Sequence, residues 1–380
     1  MTTWETKTPY DIAESGIFPM TVQELLDLEP ASERGDALAR LLELRLGYSE
    51  ARGTHELRSA IAATYRDTGP EEVLVTTGAI EANFLLFNAL LEPGDHVVAV
   101  YPAYQQLYSV PRAIGCDVSL WKLRPEDRFR YDLGELERLL RPKTRLIVIN
   151  TPHNPTGSML SEEDLRRIDA LASSAGARVI CDEAYRWLDL PGSEPLAPPM
   201  RNLSGKGISV GTVSKPFGLP GLRIGWFAGP SDLVARCWGT RDYVSLSPGK
   251  LNDALAVIAL KHRSRIVDRT RAIVSRNLQT ARAWFAAHSE IVSWTEPRGG
   301  LLALMSYALD IPSLELSDLL AEKYGVMLAP GSAFGIEHHL RIGIGQEPGI
   351  FSEGLRRTAD CFVELERRGV ARRGAASATA

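Results

Sequence analysis

The stretch TVSKPFGLPGLRIGW (residues 212–226) joins two short apolar runs, Gly207–Val213 and Ile224–Ala228, through a loop rich in glycine and proline. Both runs are predicted strands, because they are rich in apolar, β-branched or aromatic residues and are bounded by Gly or Pro. Four more strands of this kind are predicted upstream: Val73–Thr77, His96–Tyr101, Arg145–Asn150 and Arg178–Asp182. Helical patterns lie between them, over Glu81–Leu91, Tyr104–Ile114 and Glu162–Ala175. Such alternation indicates βαβ units and a mostly parallel, buried sheet.

The pattern changes after about residue 248. One long helical region, Leu251–His288, is followed by short strands and helices that alternate less regularly. We therefore predict an α/β protein with a large domain, whose mostly parallel mixed sheet is flanked by helices, and a smaller α+β domain. The predicted segments are an N-terminal part of the small domain (1–47), the large domain (48–248), a connecting helical region (249–288), the C-terminal small domain (289–370) and a disordered tail (371–380).

The composition is that of a soluble globular protein. The chain has 380 residues, of which 44% are apolar and 24% charged, and its net charge is -4, so nothing suggests a nucleic-acid partner. No apolar run approaches the ~18 residues that a membrane span needs, and the polar N-terminus lacks a signal-peptide pattern. The four cysteines form no CxxC pair, which argues against a disulfide framework or a zinc site and favours the reducing cytoplasm.

Lys215 differs from the other seven lysines in its setting. It stands at a predicted strand end beside the hydroxyls of Thr212 and Ser214, and the loop after it presents a second cation, Arg223. In such apolar surroundings the pKa of a lysine can be lowered and its amine becomes nucleophilic. The two hydroxyls and the arginine could also bind a phosphate. A surface lysine is the usual alternative, but this one lies in an apolar stretch.

A second candidate cluster, Gly78-Ala79-Ile80, lies between a predicted strand and a predicted helix. A glycine turn at a helix N-terminus can seat a phosphate, although the same residues fit an ordinary βα turn. The cluster NTPHNPTG (150–157), which contains Asn154, directly follows a strand, on the edge where open α/β sheets bind ligands. An Asx turn is the alternative there.

The third cluster is Asp182 with Tyr185. Asp182 ends a buried strand, so its carboxylate needs a partner in order to stay charged. A protonated ring nitrogen would serve, and Tyr185 could offer its phenol to the same ligand. A helix N-cap is the alternative role for Asp182.

These groups together fit one ligand. A strand-end lysine forms an imine, a buried carboxylate faces a protonated pyridine nitrogen, and Asn and Tyr side chains bind a phenolic oxygen. Hydroxyls, an arginine and a helix N-terminus hold a phosphate. Pyridoxal 5'-phosphate carries all of these features, and its ring is an electron sink for carbanions.

The order of the motifs resembles that of fold-type I pyridoxal-phosphate enzymes, in particular the class I/II aminotransferases. The matching strings span most of the chain: TTGAIEA (76–82), YPAY (101–104), NTPHNPTG (150–157), CDEAY (181–185), TVSKPFGLPGLRIGW (212–226) and LRIGIG (340–345). The resemblance implies an aspartate aminotransferase-like fold and small-molecule amino-acid and keto-acid substrates.

The resemblance also implies roles for single residues. Lys215 would be the Schiff-base lysine and general acid/base, and Asp182 would pair with the pyridinium. Asn154 and Tyr185 would bind the 3'-oxygen, while Tyr104 would stack on the ring. The cofactor-binding residues nearest the phosphate would be Gly78, Ala79, Ile80, Thr212, Ser214 and Arg223.

At the substrate, Arg341 would clamp the α-carboxylate, a bidentate task that suits arginine, and Asn154 would assist. Tyr48 resembles the tyrosine that reaches the phosphate from the partner subunit, which implies a homodimer with shared active sites. Two features depart from the family. Pro216 follows Lys215 directly, and the segment before residue 48 is short. The loop at Gly16 is therefore expected over the substrate, where a glycine gives room, or it is a simple turn.

Transamination by a ping-pong cycle through Lys215 is the reaction that the resemblance favours. The same scaffold also hosts elimination, replacement, decarboxylation and oxidation. The segments YDIAESG (10–16) and RDYVSLSP (241–248) resemble capreomycidine synthase and its relatives, in which a hydroxylated arginine loses water and cyclises. This resemblance offers β-elimination, replacement or cyclisation of an arginine-like amino acid as the alternative, with a role in secondary metabolism. Glu14 or Asp242 is then a guanidinium partner, or else both are solvated loop charges.

A non-catalytic module is the third possibility, since aminotransferase-like domains bind effectors in some transcription regulators. Those regulators carry an additional basic DNA-binding domain. The first 70 residues show no such pattern, and the chain is acidic.

Overall fold

The computed structural model describes Trp4 and residues 6–373. Its strands are β1 (Tyr10–Asp11), β2 (Val73–Thr76), β3 (His96–Tyr101), β4 (Asp117–Lys122), β5 (Thr144–Asn150), β6 (Arg178–Asp182), β7 (Ile208–Thr212), β8 (Gly225–Ala228), β9 (Val292–Trp294), β10 (Leu302–Tyr307), β11 (Val326–Met327), β12 (Ala329–Pro330) and β13 (His339–Gly343). Its α-helices are α1 (Val22–Leu26), α2 (Ala31–Leu42), α3 (His55–Ala62), α4 (Ala79–Leu90), α5 (Gln106–Ile114), α6 (Leu133–Leu139), α7 (Glu162–Ser174), α8 (Met200–Leu203), α9 (Ser231–Arg241), α10 (Lys250–Lys261), α11 (Arg263–Ala287), α12 (Ser313–Leu319) and α13 (Pro348–Arg367).

A seven-stranded mixed sheet forms the centre of the larger unit, in the order β2-β8-β7-β6-β5-β3-β4. Strand β8 runs antiparallel to both of its neighbours, and the other adjacent pairs are parallel. This mostly parallel sheet with flanking helices confirms the predicted fold class.

Both faces of the sheet are covered, which explains why its strands read as continuous apolar runs. Along β5, Leu146 and Val148 point into one hydrophobic core, whereas Ile147 and Ile149 point into another. Helix α4 packs on the first face and α7 on the second. A strand buried on both sides leaves little room for polar side chains until it ends, and Asn150, Asp182 and Thr212 all stand at the last position of their strands.

A second sheet, in the order β12-β13-β10-β9, is antiparallel throughout. It shares a hydrophobic core with α11 and α13. The N-terminal strand β1 pairs in parallel with β11, so both ends of the chain contribute to this part of the molecule. The domain boundaries given above stay a prediction. Within the predicted tail, Arg372 bridges to Leu309, and residues 374–380 lie outside the described residues.

The predicted long helix over Leu251–His288 is divided in the structure. His262 leaves the α-helical conformation, with φ -102° and ψ 22°, and separates α10 from α11. The carboxylate of the buried Glu29 lies 2.7 Å from Lys261 Nζ and 3.2 Å from His262 Nε2, so it ties the break to the N-terminal segment. Among the described residues, no helix is both long enough and apolar enough to cross a membrane.

Candidate active site

A cavity of about 310 Å³ opens at the carboxyl ends of β5, β6 and β7. This edge is where open α/β sheets bind ligands, because side chains at the strand ends and helix N-termini converge there. Eleven of the predicted site residues line the cavity: Gly78, Ala79, Ile80, Tyr104, Asn154, Asp182, Tyr185, Thr212, Ser214, Lys215 and Arg223. Residues distant in sequence are thus brought to one place.

The Lys215 amine projects into the cavity from the loop after β7. Its Nζ donates to Ser15 Oγ at 2.8 Å and lies 3.7 Å from Glu14 Oε1. Burial lowers the pKa of Lys215, and the positive charges of Arg341 and Arg223 act in the same direction, while Glu14 opposes them. A lowered pKa makes the amine easier to deprotonate, which is what a nucleophile or a proton acceptor needs.

The Asp182 carboxylate is buried at the end of β6. It accepts hydrogen bonds from Asn83 Nδ2 and from the Ala184 N–H, each at 3.0 Å. Burial raises the pKa of Asp182, while these two donors and the Lys215 charge act to lower it. None of the ion pairs within the described part of the chain includes Asp182, so the carboxylate faces the cavity without a bonded cation.

Two asparagines connect the strand ends to a buried arginine. Asn150 donates to the Asp182 carbonyl at 2.8 Å and accepts from the Asn154 N–H at 2.7 Å. The Asn154 side-chain oxygen then accepts from Arg341 Nη1 at 3.2 Å. Asn150 therefore fixes the turn that carries Asn154.

Arg341 lies on β13 and is buried. It is not part of the cavity wall itself but contacts that wall through Asn154. Its Nη2 donates to the Ala13 carbonyl at 2.9 Å, and its guanidinium lies over the Phe334 ring at 5.3 Å. The Arg341 Nε is buried without a hydrogen-bond partner among the described residues, and burial lowers the pKa of the side chain. A buried, incompletely bonded guanidinium next to the cavity has the charge and the free donor that binding a carboxylate requires.

The opposite end of the cavity can hold an anion. Gly78 is the N-cap of α4 with φ +77°, and a Cβ at this position would come within 2.6 Å of Arg223 Nη2. Gly225 is equally restricted, because its Cβ would lie 2.3 Å from the Ala79 nitrogen. Backbone N–H groups at the start of α4 and the Arg223 guanidinium are thus close together, as a phosphate requires.

The two hydroxyls beside Lys215 are linked. The Thr212 hydroxyl lies 2.9 Å from both Ser214 Oγ and the Ile224 carbonyl, and it accepts from the Ser214 N–H at 3.0 Å. Thr212 therefore fixes the position of Ser214, whose side chain lines the cavity.

Tyr104 and Tyr185 both line the cavity. Tyr185 is buried and Tyr104 is 40% exposed. Burial raises the pKa of both phenols, so each remains a neutral hydrogen-bond donor at pH 7.

Besides Arg341, two predicted site residues do not line the cavity in this single chain. Tyr48 is 84% exposed and lies beside a separate surface pocket with Pro248 and Lys250. Gly16 is buried and is not among the lining residues, whereas its neighbour Ser15 lines the cavity. The lining residues that sequence reasoning did not assign are Ser15, Asn83, Asn150, Ala184 and Pro220.

The fold and the lysine-centred cavity define an enzyme of fold type I, the class that includes aspartate aminotransferase. A family model described as aminotransferase class I and II matches residues 17–350. The chain therefore belongs to the aminotransferase class I and II family, which confirms the resemblance seen in its motifs.

Three similar proteins illustrate the range of this family. Capreomycidine synthase of Streptomyces vinaceus is 35% identical over 364 residues, which cover 91% of this chain and 92% of that protein. The crystal structure of a PLP-dependent aminotransferase from Streptococcus suis has a TM-score of 0.90 at 33% identity, with 96% of each chain covered. The PLP-dependent cyclase OrfR has a TM-score of 0.85 at 33% identity, with 97% of each chain covered.

Proposed function

We propose that this protein binds pyridoxal 5'-phosphate and transfers the α-amino group of an amino acid to a keto acid. One observation carries the proposal: the Lys215 amine, with a lowered pKa, faces the same cavity as the buried Asp182 carboxylate. Membership in the aminotransferase family supports it.

The residues of the cavity fit this cofactor. Asp182 is buried without a cation, and a protonated ring nitrogen would supply one. The start of α4, with Arg223 and the Ser214 hydroxyl, would hold the phosphate. Tyr104 stands where an aromatic ring could be stacked, and Tyr185 and Asn154 would donate to the ring oxygen. When bound there, pyridoxal phosphate supplies an electron sink for negative charge at the α-carbon of the substrate.

Side chains of this protein would bind the substrate and move the proton. The Arg341 guanidinium would bind the α-carboxylate and orient the α-carbon toward Lys215. Burial makes the Lys215 amine easier to deprotonate. This amine would accept the proton from the α-carbon of the substrate and return it to a carbon of the bound cofactor. Ser15, at 2.8 Å from Nζ, would hold the amine in position during this transfer.

Replacing Asp182 with asparagine is expected to weaken the binding of pyridoxal phosphate by roughly 10- to 100-fold, because a hydrogen bond to a charged group is lost. Titration of the purified protein with the cofactor, followed by its visible absorption, measures the affinity. The exposed Asp36→Asn removes the same charge on α2 and serves as the control. An unchanged affinity in Asp182→Asn would contradict the assignment of this carboxylate to the ring nitrogen.

The reaction is tested by incubating the cofactor-loaded enzyme with a panel of amino acids and no keto acid. Amino transfer stops after one half-reaction under these conditions, so product should equal the enzyme in amount. Sustained turnover would refute amino transfer as the principal reaction.

The second candidate is β-elimination, replacement or cyclisation of an arginine-like amino acid. It is favoured by the similarity to proteins named capreomycidine synthase and PLP-dependent cyclase. Sustained turnover of a hydroxylated arginine without a keto acid is the outcome that would support it.

We also propose that the protein is a homodimer whose subunits share their active sites. Large apolar side chains are exposed on two segments that meet at the surface: Leu46 and Tyr48 on one, Tyr243 and Leu246 on the other. The buried Arg241 joins these two segments. Its Nη1 donates to the Ala51 carbonyl, close to Leu46 and Tyr48, and its Nε donates to the Ser245 hydroxyl, between Tyr243 and Leu246. An exposed patch of this kind is typical of a protein–protein contact.

Light scattering should therefore give about twice the chain mass of 41.7 kDa. The double variant Tyr243→Glu/Leu246→Glu places two charges in the patch and is expected to yield monomers. A wild-type protein that remains at the mass of a single chain would contradict the dimer.

A further inference from the structure

Two side chains of the N-terminal loop connect the Lys215 amine to the surface. The amine donates to the Ser15 hydroxyl at 2.8 Å, and this hydroxyl donates to Glu14 Oε1 at 3.5 Å. The exposed fraction of the side chain is 24% for Lys215 and 45% for Glu14. The three groups therefore form a continuous series of donors and acceptors that begins in the cavity and ends at a solvated carboxylate.

The carboxylate end of this series lies outside the cavity. Lys215 and Ser15 line the cavity, whereas Glu14 is not among its lining residues. In the proposed function, the cofactor and the substrate fill the cavity and exclude water from the amine. Glu14 keeps its contact with the solvent under these conditions, so it can still exchange a proton with water.

Close backbone packing holds the loop in place. A Cβ on Gly343 would lie 2.1 Å from the Glu14 carbonyl, and a Cβ on Gly345 would lie 2.2 Å from the Gly16 carbonyl. The loop is therefore packed directly against β13 and the residues after it. A Cβ on Gly16 itself would come within 3.2 Å of Glu14 Oε1, so a glycine at this position leaves room for the carboxylate.

The local electrostatics favour Glu14 over the other group near Ser15 as the proton acceptor. Burial lowers the pKa of Lys215, which reduces the free energy needed to move a proton from its ammonium group to a carboxylate. Tyr185 also forms a hydrogen bond with Ser15, but burial raises the pKa of its phenol. The phenol therefore keeps its proton, and Glu14 is the group that can take up a charge-neutralising proton and release it.

We propose that Ser15 and Glu14 form a path along which the proton held by Lys215 exchanges with the solvent. Once the amine has accepted the α-proton, the Lys215 ammonium group donates an N–H proton to Ser15 Oγ, and Ser15 releases its own hydroxyl proton to the Glu14 carboxylate. The amine becomes neutral, the hydroxyl is restored, and the protonated carboxyl group passes its proton to water. This proposal rests on the proposed function, since it assumes that Lys215 accepts the α-proton.

The test uses the cofactor-loaded enzyme in ordinary water and the α-deuterated form of the amino acid that reacts fastest in the panel described above. After one half-reaction, mass spectrometry of the aminated cofactor gives the fraction of the deuterium that it retains. The wild type should retain a minor fraction, because the path replaces deuterium with solvent hydrogen. Ser15→Ala and Glu14→Gln should each raise this fraction by roughly 2- to 10-fold, the factor that one hydrogen bond is worth.

The retained fraction is a ratio, so a general loss of activity does not change it. Ser15→Ala leaves Glu14 Oε1 3.7 Å from Lys215 Nζ, which is too far for a hydrogen bond. Ser15→Thr keeps a hydroxyl and should retain as little deuterium as the wild type, as should the exposed Glu322→Gln. A retained fraction that is unchanged in either Ser15→Ala or Glu14→Gln would overturn the proposal.

A second measurement requires no reaction of a substrate. The pH dependence of Lys215 acetylation by acetic anhydride in the cofactor-free protein gives the pKa of the amine. Burial and the positive charges of Arg341 and Arg223 lower this pKa, and Glu14 raises it. Glu14→Gln should therefore shift the midpoint of the profile to lower pH, and an unchanged midpoint would also overturn the proposal. If the wild type instead removes deuterium from no amino acid, the proposed function is refuted.

Discussion

Replacing Lys215 with alanine is expected to reduce the rate of amino transfer by at least ~10⁴-fold. General acid–base catalysis by a positioned side chain contributes about 10²–10⁴-fold, and this amine would also act as the nucleophile that holds the cofactor. No other lysine lines the cavity in the described part of the chain, so no second amine can take over. Single-turnover measurements with saturating amino acid give the rate of the chemical step.

Three comparisons separate the loss of the Lys215 amine from a general disruption of the fold. Lys206→Ala, at an exposed position, removes a lysine far from the cavity wall and should keep full activity. Lys215→Ala should still bind pyridoxal phosphate through Arg223 and Asp182, but borohydride should no longer attach the cofactor to the chain. Added small primary amines are expected to restore part of the rate. A Lys215→Ala enzyme within tenfold of the wild type would contradict the role of this residue.

The strands of the large sheet could be predicted because burial imposes a pattern on them. The runs predicted at His96–Tyr101 and Arg178–Asp182 agree with β3 and β6 to the residue. Strand β4 was not predicted, since it lies at the sheet edge and its sequence, DVSLWK, carries a charge at each end. An edge strand has one neighbour and partial burial, so its sequence carries a weaker signal.

The cavity could be predicted wherever its residues come from strand ends. Asp182 and Lys215 each interrupt an apolar pattern, and that interruption can be seen in the amino-acid sequence alone. Asn83 gives a weaker signal: it is a polar residue in the apolar helix α4, and its contact with Asp182 depends on how that helix packs against β6. Ser15 depends on a loop held against β13, a contact between residues more than 300 positions apart. Tyr48 lies outside the cavity of its own chain, so its predicted role requires a second chain.

Replacing Arg341 with alanine is expected to lower kcat/KM for amino acids by ~10²–10³-fold. Loss of one partner of a buried, hydrogen-bonded charge pair costs about 2–5 kcal/mol, which is roughly 30- to 4,000-fold, and the expected loss lies within this range. Steady-state kinetics with a series of amino acids measure the effect, and most of it should appear in KM if the guanidinium binds the carboxylate in the ground state. Arg341→Lys keeps the charge but loses the planar fork, so it should recover only part of the activity.

Arg341 also holds the Ala13 carbonyl and Asn154, so a structural effect must be separated from loss of the carboxylate contact. Substrates that lack the α-carboxylate provide the separation. Each amino acid is paired with the amine formed by its decarboxylation, and both are assayed with the wild type and Arg341→Ala. If the guanidinium binds the α-carboxylate, the variant should lose ~10²–10³-fold on the amino acid and little on the amine, because the amine never made the contact. An equal loss on both would show that Arg341 acts by holding the loop at Ala13, and the α-carboxylate would then need another receptor.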